Sequence, residues 1–244
     1  MLDILAGFSS QGPTTPDLLI KPDLTSVGVN VLSSITCVGK TIMCGDEGSW
    51  EFFSGTSMAT PHIAGSAAVL LGLNPNWSPA RVKSALVNRA DLVITDSQTG
   101  THDIGPTAQG AGRENLSVAA GGTTWLSPVS ASFGRVPTIS STSLVVRVFN
   151  PTGSSQSFTV STSKFTPSTF SNTVSSAFDA GTITSGDSRI SVPGSFSVPA
   201  SGTYDLTITV MPGLAPGAIV QGWINLTGTG SNDLHLAYYA VVGP

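Results

Sequence analysis

The run Gly55-Thr56-Ser57-Met58-Ala59-Thr60-Pro61-His62 places a hydroxyl between a turn-forming glycine and an apolar stretch. Residues 63–73 are apolar or small at almost every position, so the spacing predicts a helix that begins near Ser57. A helix start leaves backbone N–H groups unpaired and carries the positive end of the dipole. A serine there can attack a carbonyl while a neighbouring N–H steadies the oxyanion. Ser57 is therefore the candidate catalytic residue. Gly55 lets the chain turn sharply, and Pro61 is expected in the first turn, where its missing donor costs little. The tripeptide Gly-Thr-Ser alone has a bland meaning, a capped turn.

A serine nucleophile needs a base within hydrogen-bond reach. The three histidines, His62, His102 and His235, all follow Ser57. His62 lies five residues along the same helix and at about 100° per residue points roughly 140° away from the serine. At that offset it cannot hydrogen-bond the serine directly. His102 sits in a loop without motif context and His235 in a strand; lone histidines of this kind are usually structural or solvated. Asp3, Asp17, Asp23 and Asp46 precede Ser57, and they read as loop and cap residues.

The elements that must hold Ser57 follow from periodicity. A helix over 57–73 without a polar face is expected to be a core helix of a layered domain. Asn74-Pro75-Asn76-Trp77 is a turn, Ser78 an N-cap and Pro79 the first residue of an amphipathic helix over 79–90. Residues 91–107 read as loop, 116–120 as a last short helix, and 29–33 as a strand. At Gly121-Gly122-Thr123-Thr124 the period changes from helical to two. Strands are expected over 144–149, 204–210, 219–226 and 234–242, the second alternating cleanly, with turns such as Asn150-Pro151-Thr152-Gly153 between them. About seven short strands without helix signals indicate an antiparallel β-sandwich. The chain thus divides into residues 1–124 and 125–244.

Composition bounds the function. The 244 residues carry 10 Lys and Arg against 14 Asp and Glu, a net charge of −4, without a basic patch for nucleic acid. The longest apolar run, 63–73, falls far short of the roughly twenty residues a membrane span needs. A surface of Ser, Thr, Gly, Asn and Gln suits an exported protein, yet the first residues do not form a signal peptide. The expectation is that this chain does not begin where its protein begins. Cys37 and Cys44 could close a short disulfide in an oxidising compartment or remain two free thiols; their C-x6-C spacing does not match the common zinc patterns.

The nucleophile run does not stand alone. Phe8-Ser9-Ser10-Gln11-Gly12-Pro13 is similar to an S-S-R-G-P turn with glutamine for arginine. Lys21-Pro22-Asp23-Leu24-Thr25-Ser26-Val27-Gly28-Val29 is similar to K-P-D-I-x-A-P-G-V, with Ser26-Val27 for Ala-Pro. Asn74–Pro79, Lys83-Ser84-Ala85-Leu86 and Gly110-Ala111-Gly112-Arg113 follow in order. Together with Gly55–His62 these motifs resemble the subtilisin-like serine proteases, the subtilases. The resemblance covers about the first 120 residues. It implies an α/β fold, here the incomplete C-terminal part of a doubly wound parallel-sheet domain, followed by the all-β antiparallel sandwich. The sandwich is similar to the fibronectin-III-like domains that follow many bacterial subtilase domains.

The resemblance further implies polypeptide substrates, an acyl-enzyme on Ser57 and secretion. In that family the aspartate and histidine precede the serine, and no histidine precedes Ser57 here. The oxyanion asparagine has no counterpart either. The implied partner is the missing N-terminal part of the catalytic domain, and the chain alone is expected to be catalytically silent. No cofactor is required for this chemistry. Structural calcium occurs in many members, but no ligand set carries onto residues here, so metal ligands stay unknown. The alternative is a secreted, non-catalytic binding or adhesion protein that uses residues 125–244 and keeps a relic of a protease. Residues 1–124 made alone are expected to be molten or aggregation-prone, and 125–244 to unfold cooperatively.

Overall fold

The structure, a computed structural model, describes residues 3–35, 49–92, 94–95, 103–168, 180–230 and 232–243. Cys37, Cys44, Asp46 and His102, with the expectations attached to them, lie outside the described residues. The first half holds β1 (Asp3–Ile4), a ribbon of β2 (Val31–Ile35) and β3 (Ser49–Phe53), and helices α1 (Thr56–Leu73) and α2 (Pro79–Val87). The stretch read as loop contains β4 (Ile94–Thr95), β5 (Asp103–Ile104) and α3 (Pro106–Gln109); α4 (Leu116–Gly121) follows.

Helix α1 forms where its sequence says, but it is not a core helix here. Its apolar residues Leu70, Ile63 and Ala67 pack against Val82, Ala85 and Leu86 of α2 and Ala119 of α4. Val69 and Leu73 stand 48% and 64% exposed, and only Ser66 and Leu70 of the helix are buried. A helix apolar on every side needs cover on every side, and the described residues cover one. Pro61 falls in the second turn, not the first. Helix α2 starts as its cap predicts, the Ser78 hydroxyl accepting from Arg81 N–H at 3.3 Å. It ends at Val87, three residues earlier than expected, and Asn88 and Arg89 turn instead to buried partners in the second half. The structure is mostly β, with few helices. A doubly wound sheet is not seen: among the described residues of this half, strand pairing in parallel is confined to β1 with β4 over two residues.

The second half runs β6 (Trp125–Ser127), β7 (Ala131–Val136), β8 (Thr142–Asn150), β9 (Gln156–Pro167), β10 (Ala180–Ser185), β11 (Ile190–Ser191), β12 (Ser195–Val198), β13 (Gly202–Val210), β14 (Ile219–Gly228) and β15 (Leu234–Val242). One sheet is β11-β13-β8-β6 and the other contains β10-β9-β14-β15-β7, with β12 beside β9. Alternation sets the facing: Leu206, Ile208 and Val210 of β13 point inward with Val146 and Val148 of β8. They meet Ile224, Leu226, Leu236 and Tyr238 of the opposite sheet in one core. The sandwich departs from an all-antiparallel plan at one edge, where β7 runs parallel to β15 from Ala131↔Tyr238 to Val136↔Val242.

Strands β14 and β15 are buried almost continuously because both their faces are covered. One face meets the sandwich core; the other, through Trp223, Ala237 and Tyr239, meets Ile20 and Phe165. The larger sheet also continues past residue 124. β10 pairs with β5 (Ala180↔Ile104, Gly181↔Asp103), β5 with β4, and β4 with β1. Buried polar groups tie the halves as well. Asn88 Nδ2 donates to the carbonyls of Val129 and His235, each at 2.8 Å, and Trp223 Nε1 donates to that of Gly110 at 3.0 Å. The Ser84 hydroxyl donates to Asn88 Oδ1 and accepts from Leu126 N–H.

Candidate active site

Gly55 precedes α1 in extended backbone, and its carbonyl accepts the N–H groups of Met58 at 3.0 Å and Ala59 at 3.4 Å. Ser57 is the second residue of the helix and is exposed, and among the described residues nothing hydrogen-bonds its hydroxyl. Its own N–H belongs to the first turn, where no intrahelical acceptor exists. Pro61, four residues on, removes the donor that would have paired with the Ser57 carbonyl. His62 Nδ1 bonds the Met58 carbonyl at 2.8 Å, so this ring serves the helix and not the serine, as its 140° offset requires.

The K-P-D loop lies against the nucleophile turn. Gly28 carbonyl accepts Gly55 N–H at 2.8 Å, and Asn30 N–H donates to the Ser54 hydroxyl at 2.9 Å. A Cβ on Gly28 would stand 2.8 Å from the Gly55 carbonyl oxygen and 3.3 Å from Ala59 Cβ. Sequence reasoning missed this contact; its trace is the pair of glycines in the two motifs. Gly110 supplies the next close approach, with φ of 62° and a would-be Cβ 2.3 Å from the Pro22 carbonyl oxygen. Beside the turn opens a cavity of about 550 Å³ lined by Gly55, Thr56, Ala59 and Ile63 on one side and by Ser26 and Val27 on another. Ser57 itself does not line it.

The acidic residues are committed elsewhere. Arg113 Nη1 donates to both carboxylate oxygens of Asp3, at 2.7 and 2.6 Å, and Arg113 also pairs with Asp91 at 3.3 Å. Asp17 accepts from the Thr14 hydroxyl. Burial alone would raise Asp23, but Lys21 at 2.6 Å and Lys83 at 3.1 Å outweigh it and hold the carboxyl below its usual range. His235 bonds the Ala111 carbonyl, on the sandwich side of the molecule. The structure therefore brings none of the described aspartates or histidines to Ser57. Among the described residues no group of three or more His, Cys, Asp or Glu could hold a metal ion. No described helix is long and apolar enough to cross a membrane.

Comparison with known proteins agrees with the motifs. The model of the subtilase family matches residues 3–121. Subtilisin-like protease SBT1.6 of Arabidopsis thaliana is 41% identical over 124 residues, covering 46% of this chain and 16% of that protein. The minor extracellular protease Vpr of Bacillus subtilis is 39% identical over 131 residues, covering 53% of this chain and 15% of the relative. The chain thus spans about a sixth of the length of these relatives. Among solved structures, a PapD-like domain of human CEP192 aligns at a TM-score of 0.38 and 10% identity, over 49% of this chain and 84% of that one. A likeness that distant assigns the sandwich neither a family nor a function. From the ordered motifs, the turn that opens α1 and the family match taken together, residues 3–121 belong to the subtilase family.

Proposed function

We propose that this chain supplies the nucleophile of a secreted serine endopeptidase acting on polypeptides. Ser57 Oγ bonds to the peptide carbonyl carbon while a base takes its proton. The C–N bond then breaks, the base protonates the leaving amine, and water hydrolyses the acyl-enzyme. The Ser57 N–H contributes to holding the oxyanion. The base, its aspartate and the oxyanion asparagine come from the rest of the catalytic domain, which also completes a doubly wound sheet over the exposed faces of α1. The sandwich is a fibronectin-III-like accessory to that enzyme. The observation that carries this reading is an exposed, unengaged serine hydroxyl at a helix start, inside the stretch that matches the family.

By itself the chain is catalytically silent. Loss of the base in a serine peptidase of this type costs about 10⁶ in kcat, and loss of the oxyanion donor about another 10² to 10³. The test assays the 244-residue chain and Ser57→Ala for casein hydrolysis and for labelling by a fluorophosphonate probe. Both proteins alone should match background. Co-expression with the part of the Bacillus subtilis relative that precedes its matched stretch should restore labelling in wild type and not in the variant. Labelling that Ser57→Ala retains would sink the assignment of the nucleophile; turnover by the chain alone that Ser57→Ala abolishes would sink its silence.

A further inference from the structure

Strands β2 and β3 form a ribbon that pairs with no other described strand. Its register is Val31↔Phe53, Leu32↔Phe52, Ser33↔Glu51, Ser34↔Trp50 and Ile35↔Ser49. Alternation puts Leu32, Ser34, Phe52 and Trp50 on one face. Leu32, Phe52 and Trp50 stand 51%, 63% and 70% exposed, so the described residues leave this face uncovered. A two-stranded ribbon is marginal in water; independent stability takes three or more strands with an apolar face. The root of this ribbon is fixed, because Gly55 N–H donates to the Gly28 carbonyl and Asn30 N–H to the Ser54 hydroxyl. The chain therefore holds out a ready strand pair with an unpaired outer edge on β2.

The two edges of the ribbon differ. Val31-Leu32-Ser33-Ser34-Ile35 contains no charge and no proline, the residues that guard a strand edge, whereas β3 carries Glu51 at its centre. Antiparallel pairing of β2 with the β2 of a second copy over all five residues puts a two-fold axis at Ser33. Leu32 then faces Ser34 of the second copy, and Val31 faces its Ile35. Each row on the aromatic face reads Phe52, Leu32, Ser34, Trp50, the last two from the second copy. The small Ser34 leaves room for the Trp50 ring to lean over it onto Leu32. The two Glu51 carboxylates end three strand spacings apart, about 14 Å, beyond the screening length of about 8 Å at physiological salt. Pairing through β3 instead would set Glu51 directly opposite Glu51, which is destabilising.

We propose that β2 is a homodimerisation edge: two copies of the chain join through it into one four-stranded antiparallel sheet with its two-fold axis at Ser33. The assembly closes at the dimer, because each copy spends its one uncharged edge and the β3 edges left outside carry Glu51. Five residues of ladder and two aromatic rows make a small interface of the weak, reversible class, so association is expected over about 10 to 500 μM. The pairing does not depend on the role of Ser57.

Sedimentation equilibrium of the 244-residue chain over that range tests this. The wild type should rise from one chain mass to two and stop there. Leu32→Lys and Ser34→Lys change exposed side chains that the second copy would cover, and each should weaken association at least about tenfold. Leu73→Lys, on the exposed side of α1, should leave association unchanged. With Cys37→Ser and Cys44→Ser in place, Ser33→Cys should oxidise to a linked dimer, since directly opposed antiparallel residues lie within disulfide reach. A wild type that stays monomeric would overturn the proposal and assign the ribbon to a different partner. Growth past the dimer, association that survives both lysine variants or is lost in Leu73→Lys, or a Ser33→Cys chain that does not link would overturn it too.

Discussion

Truncating Asn88 to alanine should cost more than any exposed substitution in the first half. Its side chain is fully buried and makes three bonds of 2.8 Å: one accepted from the Ser84 hydroxyl, two donated to the carbonyls of Val129 and His235. Asn88→Ala strands two carbonyls and a hydroxyl proton where water has no ready access. A buried polar group left without a partner costs about 1–3 kcal/mol. The hydroxyl keeps its bond from Leu126 N–H, which limits the damage there. The expected total is about 3–5 kcal/mol, which for a chain of this size lowers Tm by roughly 10 °C. Asn88→Asp should be at least as severe, since a carboxylate cannot donate to either carbonyl. Urea unfolding followed by tryptophan fluorescence and by far-UV circular dichroism measures the loss. A change below about 1 kcal/mol in Asn88→Ala would refute the argument that these bonds are buried and unreplaced.

Three further outcomes follow from the same geometry. Gly28→Ala forces a Cβ to within 2.8 Å of the Gly55 carbonyl oxygen, so it should destabilise the chain by about 1–3 kcal/mol in a thermal melt. It should also slow Ser57 labelling in the completed enzyme. Trp223→Phe leaves the Gly110 carbonyl without its indole donor and shrinks a buried side chain, a loss of about 2–3 kcal/mol readable in the urea midpoint. Asp23 is held below its usual range by Lys21 and Lys83, so its contribution is present above about pH 4 and is lost as pH falls further. Its partners are half-exposed, so Asp23→Asn should remove well under 1 kcal/mol at pH 7 and flatten the acid limb of the stability profile.

The parts of this molecule that obey local rules could be read from the chain. Ser78-Pro79 announces α2 through a cap that needs no tertiary help, and the alternation of β13 shows which residues face inward. The helix start beside Ser57 was legible for the same reason, since a glycine turn ahead of an apolar run fixes where the helix begins. What escaped depends on distant chain. Asn88 looks like an ordinary polar residue near a helix end, and its burial comes from β15, nearly 150 residues later. The pairing of β5 with β10 covers two residues on the β5 side, too few to show a period. The exposure of α1 runs against its composition, because composition reports what a helix can bury and not what is there to bury it.

The parallel edge of the sandwich bears on how the chain is made. β7 emerges among the first strands of the second half, but its partner β15 lies about a hundred residues further on. During vectorial synthesis Leu234, Leu236, Tyr238 and Val242 reach the core last, so the growing sandwich stays an open book until then. The carbonyl of His235, which accepts from Asn88, and Asn232, which accepts from Arg89, arrive just before or within the same strand. The helix that packs beneath Leu70 must therefore wait, with its buried polar residues still wet, for a segment translated some 150 residues later. A ribosome stalled before β15 would display an apolar and hydrogen-bond-hungry surface, the kind of nascent chain that chaperones shield.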